Sequence, residues 1–346
     1  MHIYYNKRIE KRRAEMNIFD SMKKLVSAKN PVIVFPEGMS DRILKATSRL
    51  KKEGIMQPIL LGNEKEMKAF AAERGVDISD LTLIDPQTYP ELDFLVEKFV
   101  ERRKGKITAE EAREKLLSDV NYFGTMLVYT EKAAGMVSGA VHTTADTVRP
   151  ALQIIKVKPC YTRISGVFIL IKGDQIYVVA DCAINIAPTA EELAEIAITT
   201  VNTAKAIELE PRVAMLSFST KGSAHSEETE KMAKATELVR QQMPDLLIDG
   251  EIQFDAAFVP EIAARKAPNS PIAGNANVFI FPSLEAGNIG YKLIQRFGGY
   301  DAVGPILQGL NKPVCDLSRG CNEEEVYKLA LFTAASGILG DGCIQE

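Results

Sequence analysis

The 346-residue sequence has no tryptophan, few cysteines and only three histidines. Its five cysteines are odd in number and widely spaced, a pattern typical of neither a disulfide framework nor a zinc site. They are Cys160, Cys182, Cys315, Cys321 and Cys343, and we expect them to be reduced. No apolar run is long enough to cross a membrane, and the basic N-terminus lacks the apolar core of a secretion signal. These absences predict a cytoplasmic protein.

The sequence also lacks a strong excess of charge of either sign. It contains 42 Lys and Arg against 46 Asp and Glu, which gives a formal net charge of −4. This balance argues against a nucleic-acid-binding surface, but it allows local basic pockets that bind phosphorylated ligands. The apolar fraction of 46% is ordinary for a globular protein, and the length exceeds that of a usual single domain, so we expect two domains.

The first half of the chain alternates short apolar runs with amphipathic segments. Residues 1–16 are highly charged and poorly patterned, and we interpret them as an N-terminal extension. Residues 32–38 then predict a buried strand and turn, and residues 41–52 predict a helix. A second strand at 58–62 and a second helix at 64–74 follow. Strands that alternate with helices predict a parallel sheet covered by helices.

Three further local patterns are clear. Residues 92–103 predict a helix, and Thr108 with the acids after it predicts the capped start of another. Residues 167–171 and 175–180 predict two strands joined by a tight hairpin turn. Similar strand-to-helix alternation continues to the end of the chain.

A turn rich in Gly and Ser lies at residues 219–226, between a predicted strand and a predicted helix. Backbone N–H groups at such a turn suit an anion, so we take it, with Ser223, as a candidate binding element. A plain connection between strand and helix is the alternative interpretation. The turn lacks the spaced glycines of a Walker motif, so nucleotide hydrolysis is not indicated.

Residues 134–150 contain one His and one Arg among small and polar residues. His142 has no evident partner in the sequence, and a lone His is more often structural than catalytic, so we leave it out of the candidate catalytic set. Arg149 precedes Pro150, and proline disfavours the helical conformation in the residue before it. We therefore expect an extended or turn conformation at Arg149.

A reactive combination of side chains lies near the C-terminus. Residues 313–317 predict a short strand, Ser318 and Arg319 follow it, and an acidic run then opens a helix. A hydroxyl and a guanidinium can hold a phosphate or an oxyanion, while a carboxylate accepts a proton, so the pattern indicates acyl or phosphoryl transfer. A plain loop before an acid-capped helix is the alternative.

Several blocks of this sequence resemble, in the same order, the signature blocks of the phosphate acetyltransferases. The blocks are MVSGAVHTTADTVRP at 136–150, STKGSA at 219–224, DGE at 249–251, AGNIGYK at 286–292 and DLSRGC at 316–321. The resemblance runs from about Asn17 almost to the end of the chain. Because several long blocks agree in order, it points to the phosphate acetyl/butyryltransferase family.

The resemblance implies an activity and a fold. Enzymes of this family interconvert acetyl-CoA and phosphate with acetyl phosphate and CoA, so CoA is a substrate and neither a cofactor nor a metal is expected. They have two three-layer αβα domains with mainly parallel sheets, similar to the isocitrate and isopropylmalate dehydrogenases, and an active site in the interdomain cleft. We assign residues 17–150 and about 305–346 to the first domain and residues 151–304 to the second. A homodimer is expected, without nucleic acid or membrane partners.

The resemblance also implies roles for individual residues. The signature Ser and Arg of the family match Ser318 and Arg319. The family base is an Asp seven residues after that Ser, and Glu325 stands at this position here. Glu323 and Glu324 are the neighbouring alternatives for the base. The arginines that bind CoA or phosphate in the family match Arg103, Arg149 and Arg296.

The implied mechanism is direct transfer in a ternary complex. A carboxylate accepts the proton of the CoA thiol, the thiolate attacks the acetyl carbonyl, and phosphate leaves. Arg319 would bind the phosphate and Ser318 would donate a hydrogen bond to the developing oxyanion. Three other interpretations stay open: a phosphate butyryltransferase, a metal- and nicotinamide-dependent dehydrogenase of related fold, and a binding protein that has lost the chemistry.

Overall fold

The computed structural model of the chain describes residues 18–339, so the predicted extension at residues 1–16 lies outside the described part. The chain divides into two compact units. Of the described residues, unit 1 contains 18–159 and 310–339, and unit 2 contains Cys160–Gly309. Between residues 18 and 339, no helix is both long enough and apolar enough to span a membrane.

The strands are short and mostly buried, as the apolar runs predict. In chain order they are β1 Val32–Phe35, β2 Gln57–Leu61, β3 Thr82–Ile84, β4 Gly135–Ser138, β5 Ser165–Lys172, β6 Gln175–Ala180, β7 Arg212–Leu216, β8 Leu247–Ile252, β9 Val278–Ile280, β10 Asp301–Gln308 and β11 Val314–Asp316.

The helices connect and cover these strands. In chain order they are α1 Ile18–Lys29, α2 Asp41–Lys52, α3 Glu64–Glu73, α4 Leu92–Arg103, α5 Ala109–Ser118, α6 Val120–Tyr129, α7 Thr144–Pro150, α8 Ala190–Ala206, α9 Glu227–Gln242, α10 Phe254–Phe258, α11 Pro260–Lys266, α12 Leu284–Gly298 and α13 Glu323–Leu339.

Unit 1 is built on a parallel sheet with the strand order β3-β2-β1-β4-β11. Ile33, Val34 and Phe35 of β1 are fully buried, which fits a central strand of a parallel sheet. Helices α2, α6 and α13 pack against the strands. The last strand, β11, lies beside β4 although Cys160–Gly309 of unit 2 separate them in sequence.

Unit 2 has a mixed sheet with the strand order β10-β5-β6-β9-β7-β8. Strand β5 is antiparallel to β6 and β10, whereas β6, β9, β7 and β8 run parallel to one another. The predicted hairpin is confirmed, since Lys172 pairs with Gln175 across the turn. The core of this unit contains Phe168 and Tyr291, whose rings stack with centroids 3.9 Å apart.

Local signals located several helices well. Helix α4 covers Leu92–Arg103, as predicted. The predicted cap at Thr108 is confirmed, because its hydroxyl accepts the Glu111 N–H at 3.2 Å and the Glu111 carboxylate accepts the Thr108 N–H at 2.8 Å. Such reciprocal caps satisfy backbone donors that the first helical turn leaves unpaired.

The prediction of an extended conformation at Arg149 is wrong. Arg149 lies in α7, and the chain continues through Pro150 into a π-helical turn at Ala151–Ile155. Pro150 has φ −62°, which a helix accommodates. A capping box between Thr143 and Asp146 also stabilises the start of α7, so the helix overcomes the steric preference of the residue before proline.

The expectation that all five cysteines are reduced is also wrong. Cys182, Cys315 and Cys321 are buried thiols outside any disulfide bond, but Cys160 is disulfide-bonded. Cys343 lies outside the described residues. Widely spaced cysteines carry no information about which of them the fold brings together, so spacing alone missed this bond.

Candidate active site

Three loops of unit 1 follow neighbouring parallel strands. Residues 36–40 follow β1, residues 139–143 follow β4, and residues 317–322 follow β11. Strand β4 pairs with both of the others, through Val34↔Met136 on one side and Asp316↔Ser138 on the other. The carboxyl ends of parallel strands meet at one edge of a sheet, where ligands commonly bind in α/β proteins.

A buried carboxylate, Glu37, holds the loop after β4. Its oxygens accept the backbone N–H groups of Ala140, Val141 and His142 at 2.7, 2.8 and 2.9 Å. One of these oxygens also lies 2.8 Å from Nδ1 of His142. Burial alone would raise the pKa of Glu37, but these hydrogen bonds outweigh it and hold the pKa below its ordinary value. Glu37 is therefore ionised at neutral pH.

His142 thus has a partner that the sequence did not reveal. The hydrogen bond with Glu37 raises the pKa of His142, and partial burial of the ring opposes this effect only in part. Its side chain keeps 36% of its surface exposed. Because Glu37 and His142 are 105 residues apart, no local pattern could connect them.

Arg42 joins the loop after β4 to the loop after β11. Its Nη2 donates to the Ala140 carbonyl at 2.7 Å. Its Nη1 donates to the carbonyls of Arg319 and Cys321 at 2.8 and 2.9 Å. Arg42 lies in the first turn of α2, so one guanidinium attaches both loops to the start of that helix. Sequence reasoning did not single out Arg42.

The signature residues lie in the loop after β11. Ser318 and Arg319 are both exposed. The Ser318 hydroxyl accepts the Gly320 N–H at 3.3 Å. In the part of the chain that the structure describes, the Arg319 guanidinium forms no hydrogen bond or ion pair of its own. This loop therefore presents a hydroxyl and an unengaged cation, a pair that suits a phosphate or an oxyanion.

The carboxylate of Glu325 lies in the first turn of α13, just beyond this loop. It accepts the Asn322 N–H at 2.9 Å, and the Asn322 side chain accepts the Glu325 N–H at 2.9 Å. The positive end of the helix dipole favours the ionised form of a carboxylate at this position. Glu324, in the same turn, forms an ion pair with Arg49 at 2.6 Å.

A second buried carboxylate, Asp316, ends β11. It is 1% exposed, and the Thr144 hydroxyl donates to its Oδ2 at 2.7 Å. Its Oδ1 has no hydrogen-bond partner among the described residues. Burial raises the pKa of Asp316 to about 6, although the nearby hydroxyls of Thr144 and Thr147 oppose the rise. Gly139, at φ +105°, makes room for Asp316, since a Cβ there would lie 2.3 Å from Oδ1.

Cys321 lies in the same loop but is unsuited to nucleophilic chemistry. It is 5% exposed, and burial raises the pKa of its thiol to about 11. The thiol is therefore protonated at neutral pH, and the thiolate is the nucleophilic form of cysteine.

Two of the arginines predicted to bind substrate, Arg103 and Arg149, also lie in unit 1. Arg103 ends α4 and Arg149 is exposed in α7. Burial raises the pKa of the Tyr122 phenol, and the charges of Arg149 and Arg103 oppose that rise. Both arginines therefore lie near Tyr122. Helix α7 begins at Thr144, beside Asp316, and reaches Arg149 about 8 Å further along its axis.

Basic side chains surround Arg103. The charges of Arg102, Lys104, Arg103 and Lys106 contribute to a lowered pKa of Lys156. Arg102 has a structural role, because it donates to the carbonyls of Ile154 and Ile155 at 2.5 and 3.0 Å. No comparable contact of the Arg103 guanidinium occurs within residues 18–339. This cationic cluster suits a phosphate-rich ligand.

The other two predicted binding residues, Ser223 and Arg296, lie in unit 2. Arg296 is exposed on α12. Ser223 is exposed, and its hydroxyl accepts the Thr220 N–H at 3.0 Å. The buried carboxylate of Glu251 accepts the Gly222 N–H of the same turn at 2.7 Å. The turn at 219–226 therefore donates a backbone N–H to an internal carboxylate, and its binding of a substrate anion stays a prediction.

The family model described as phosphate acetyl/butaryl transferase matches residues 17–334. The chain belongs to this family. A phosphate acetyltransferase of the family from Bacillus subtilis (strain 168) is 59% identical over 322 residues, which cover 93% of this chain and 99% of the relative. The crystal structure of a phosphotransacetylase from Streptococcus pyogenes is 55% identical, with a TM-score of 0.88, and covers 93% of this chain and 98% of its own.

A more distant structure is informative about the fold. A 4-hydroxythreonine-4-phosphate dehydrogenase from Klebsiella pneumoniae matches with a TM-score of 0.54 and covers 88% of this chain and 99% of its own, at 11% identity. At that identity the likeness concerns the fold alone. The prediction of a mainly parallel α/β fold of dehydrogenase-like type is confirmed. Among the described residues, no group of three or more His, Cys, Asp or Glu side chains is arranged to hold a metal ion.

Proposed function

We propose that this chain is a phosphate acetyltransferase, which transfers an acetyl group reversibly between CoA and inorganic phosphate. The observation that carries the proposal is the loop after β11, where the Ser318 hydroxyl and the Arg319 guanidinium are exposed beside the acidic first turn of α13. The identity of 59% with the phosphate acetyltransferase of Bacillus subtilis supports it.

The transfer is a direct displacement. Glu325 accepts the proton of the CoA thiol, because a thiol with a pKa of about 8.5 is mostly protonated at neutral pH. The sulfur then forms a bond to the acetyl carbonyl carbon, and the carbon–oxygen bond to phosphate breaks, with the electron pair leaving on the phosphate oxygen. Arg319 binds the phosphate oxygens, and Ser318 donates a hydrogen bond to the oxyanion that develops on the carbonyl.

Binding of CoA uses the cationic surface of unit 1. Arg103 and Arg149 are the candidates to bind its phosphate groups, since both are arginines near Tyr122 and Arg103 lies in a basic cluster. Arg296 and Ser223 are further candidates in unit 2, supported by the family resemblance. Replacing Arg319 with Ala should lower turnover, whereas replacing Arg103 or Arg149 with Ala should raise the KM for CoA.

The family resemblance also supports proposals on location, assembly and partners. The chain works in the cytoplasm as a homodimer, and CoA is a substrate rather than a bound cofactor. It has no nucleic acid or membrane partners. Light scattering of the purified protein measures the assembly directly. A mass of one chain at micromolar concentration would contradict the dimer.

The decisive experiment follows thioester formation by ultraviolet absorbance while the purified protein is mixed with CoA and acetyl phosphate, or with CoA and butyryl phosphate. We compare Glu325→Gln, Glu325→Asp and Glu323→Gln. Gln retains the capping role of Glu325 and removes only its basicity, so Glu325→Gln should lower kcat by about 100-fold or more, while Glu325→Asp retains activity.

Glu323→Gln is the matched control, because it removes a carboxylate from the same helical turn. It should leave kcat within about twofold. If Glu323→Gln lost activity and Glu325→Gln did not, the base would be Glu323. Faster transfer from butyryl phosphate than from acetyl phosphate would identify the butyryl branch, and absence of transfer with either donor would overturn the proposed function.

A further inference from the structure

One ring nitrogen of His142 contacts a carboxylate, and the other is accessible to a ligand. Its Nδ1 lies 2.8 Å from the carboxylate of Glu37, which is itself buried. Within residues 18–339, Nε2 of the same ring forms no hydrogen bond, and the side chain is 36% exposed. The mechanism above assigns no role to this side chain. A ring fixed at one nitrogen and accessible at the other is pre-oriented for a ligand.

The loop that carries His142 lies against the loop that carries Arg319. A single guanidinium, that of Arg42, contacts the carbonyls of Ala140 and Arg319 at 2.7 and 2.8 Å. The Leu317 N–H also donates to the Ser138 carbonyl at 2.6 Å. Arg42 therefore connects Ala140 to Arg319, and His142 lies two residues after Ala140.

The groups that face His142 favour its charged form. They are Glu37 from the loop after β1, Asp146 from α7 and Asp119 from the N-cap of α6, and each of them raises the pKa of His142. Burial of the ring opposes them. When the ring is charged, both nitrogens are donors, so Nε2 presents an N–H and cannot act as a base. When the ring is neutral with its proton on Nδ1, Nε2 presents a lone pair, which repels an anion.

We propose that His142 is a further anion-binding residue of this site, and that its Nε2–H donates to an oxygen of inorganic phosphate or of the phosphoryl group of an acyl phosphate. Glu37 is the positioning residue, since it fixes the ring through Nδ1. The identity of the anion rests on the proposed function. The position of the Nε2–H donor is inferred from the contacts of Glu37, His142 and Arg42.

The first test separates the KM values of the two substrates. His142→Gln should raise the KM for acetyl phosphate about tenfold or more, because one charge-assisted hydrogen bond is lost. The KM for CoA should stay within about twofold. His2→Gln replaces a histidine of the charged N-terminal segment and should change neither value. An unchanged KM for acetyl phosphate, or an equal rise in both values, would overturn the proposal.

The pH dependence supplies a second readout. Since the proposal requires the imidazolium, the KM of the unmodified protein for acetyl phosphate should rise as the pH rises through the pKa of His142. That dependence should disappear in His142→Gln and persist in His2→Gln. A rise of the same size in the His142→Gln protein would assign the titration to another group and count against His142.

A binding measurement on the unmodified protein separates this inference from the proposed function. The histidine side chains are isotope-labelled, the His142 signal is assigned with the His142→Gln variant, and the pKa of His142 is measured by NMR with and without saturating inorganic phosphate. Phosphate should raise the pKa of His142. If His142 responds but no acetyl transfer occurs, the inference stands and the proposed function fails. If transfer occurs and His142 does not respond, the inference fails.

Discussion

Unit 1 contains two buried carboxylates on either side of β4, and their surroundings give them opposite behaviour. Glu37 is 5% exposed and accepts hydrogen bonds from three backbone N–H groups and one imidazole. Asp316 is 1% exposed and accepts a hydrogen bond from Thr144, while its Oδ1 has no partner in the described part of the chain. The pKa of Glu37 is lowered, and the pKa of Asp316 is raised to about 6.

The difference shows that the number of donors, rather than the degree of burial, sets the charge of these groups. Burial disfavours the ionised form of both. At Glu37 the donors compensate for the lost water, and at Asp316 the nearby hydroxyls of Thr144 and Thr147 do not. The same sheet edge therefore carries one group that is always ionised near neutral pH and one that becomes protonated at mildly acidic pH.

The two carboxylates consequently affect stability in opposite directions as the pH changes. The folded pKa of Glu37 is below its unfolded value of 4.5, so its contribution is present above pH 4.5 and is lost as the pH falls through the folded pKa. The folded pKa of Asp316, about 6, is above its unfolded value of 3.8, so the folded protein binds this proton more tightly than the unfolded chain does. Asp316 therefore lowers stability as the pH rises from about 4 to about 6.

The largest expected effect comes from breaking the Glu37 arrangement. Glu37→Gln removes the charge and places an amide N–H₂ where one oxygen accepted an N–H group. We expect a loss of about 3 kcal/mol or more in the free energy of unfolding, measured with urea at pH 7.5. Glu110→Gln, at an exposed position of α5, should change it by less than about 0.5 kcal/mol. Equal small effects would show that the hydrogen bonds of Glu37 contribute little.

A smaller effect of opposite sign is expected at the other carboxylate. Asp316→Asn removes the cost of ionising a buried group, so it should stabilise the protein by about 2 to 3 kcal/mol at pH 8. Near pH 4 the folded Asp316 is protonated, so this gain should vanish. Urea unfolding at the two pH values makes the comparison. Destabilisation of the same size at both would mean that Asp316 contributes by packing rather than by charge.

The smallest effect comes from removing the hydroxyl that contacts Asp316. Thr144→Val should cost about 1 kcal/mol at pH 8 and should raise the pKa of Asp316 further, because the ionised form loses its donor. NMR titration of the labelled carboxyl group measures that pKa. Thr82→Val, on the exposed side of β3, should leave both quantities unchanged. An unchanged pKa of Asp316 in Thr144→Val would show that the Thr144 hydroxyl does not influence it.

Much of the fold was predictable because its signals are local. The helix at residues 41–52 follows from the spacing of its apolar residues, and the hairpin at Lys172 and Gln175 follows from its turn sequence. Arg149 shows the limit of such rules. The steric effect of Pro150 is real, but the capping box at Thr143 and the packing of α7 outweigh it.

The signature residues of the candidate site were also recognisable, but their supports were not. Ser318 and Arg319 belong to one short motif. Arg42, by contrast, reaches Ala140 across 98 residues and Arg319 across 277. Of these supporting residues, only Glu37 had a position that suggested a role, because it is a charged residue at the carboxyl end of a buried strand. Ligand-binding residues commonly occupy such positions. Contacts at such separations depend on the topology of the sheet, which one sequence does not reveal.

The place of β11 in the sheet has a consequence for biosynthesis. Among the described residues, unit 2 is one continuous segment, Cys160–Gly309, so this part of the chain can begin to fold once residue 309 has left the ribosome. The sheet of unit 1 is completed later, because β11, which pairs with β4, is made after these residues. Until residues 314–316 emerge, β4 has an unpaired edge that other chains could bind. A chaperone that covers this edge during translation would therefore increase the yield of folded protein more than one that acts on unit 2.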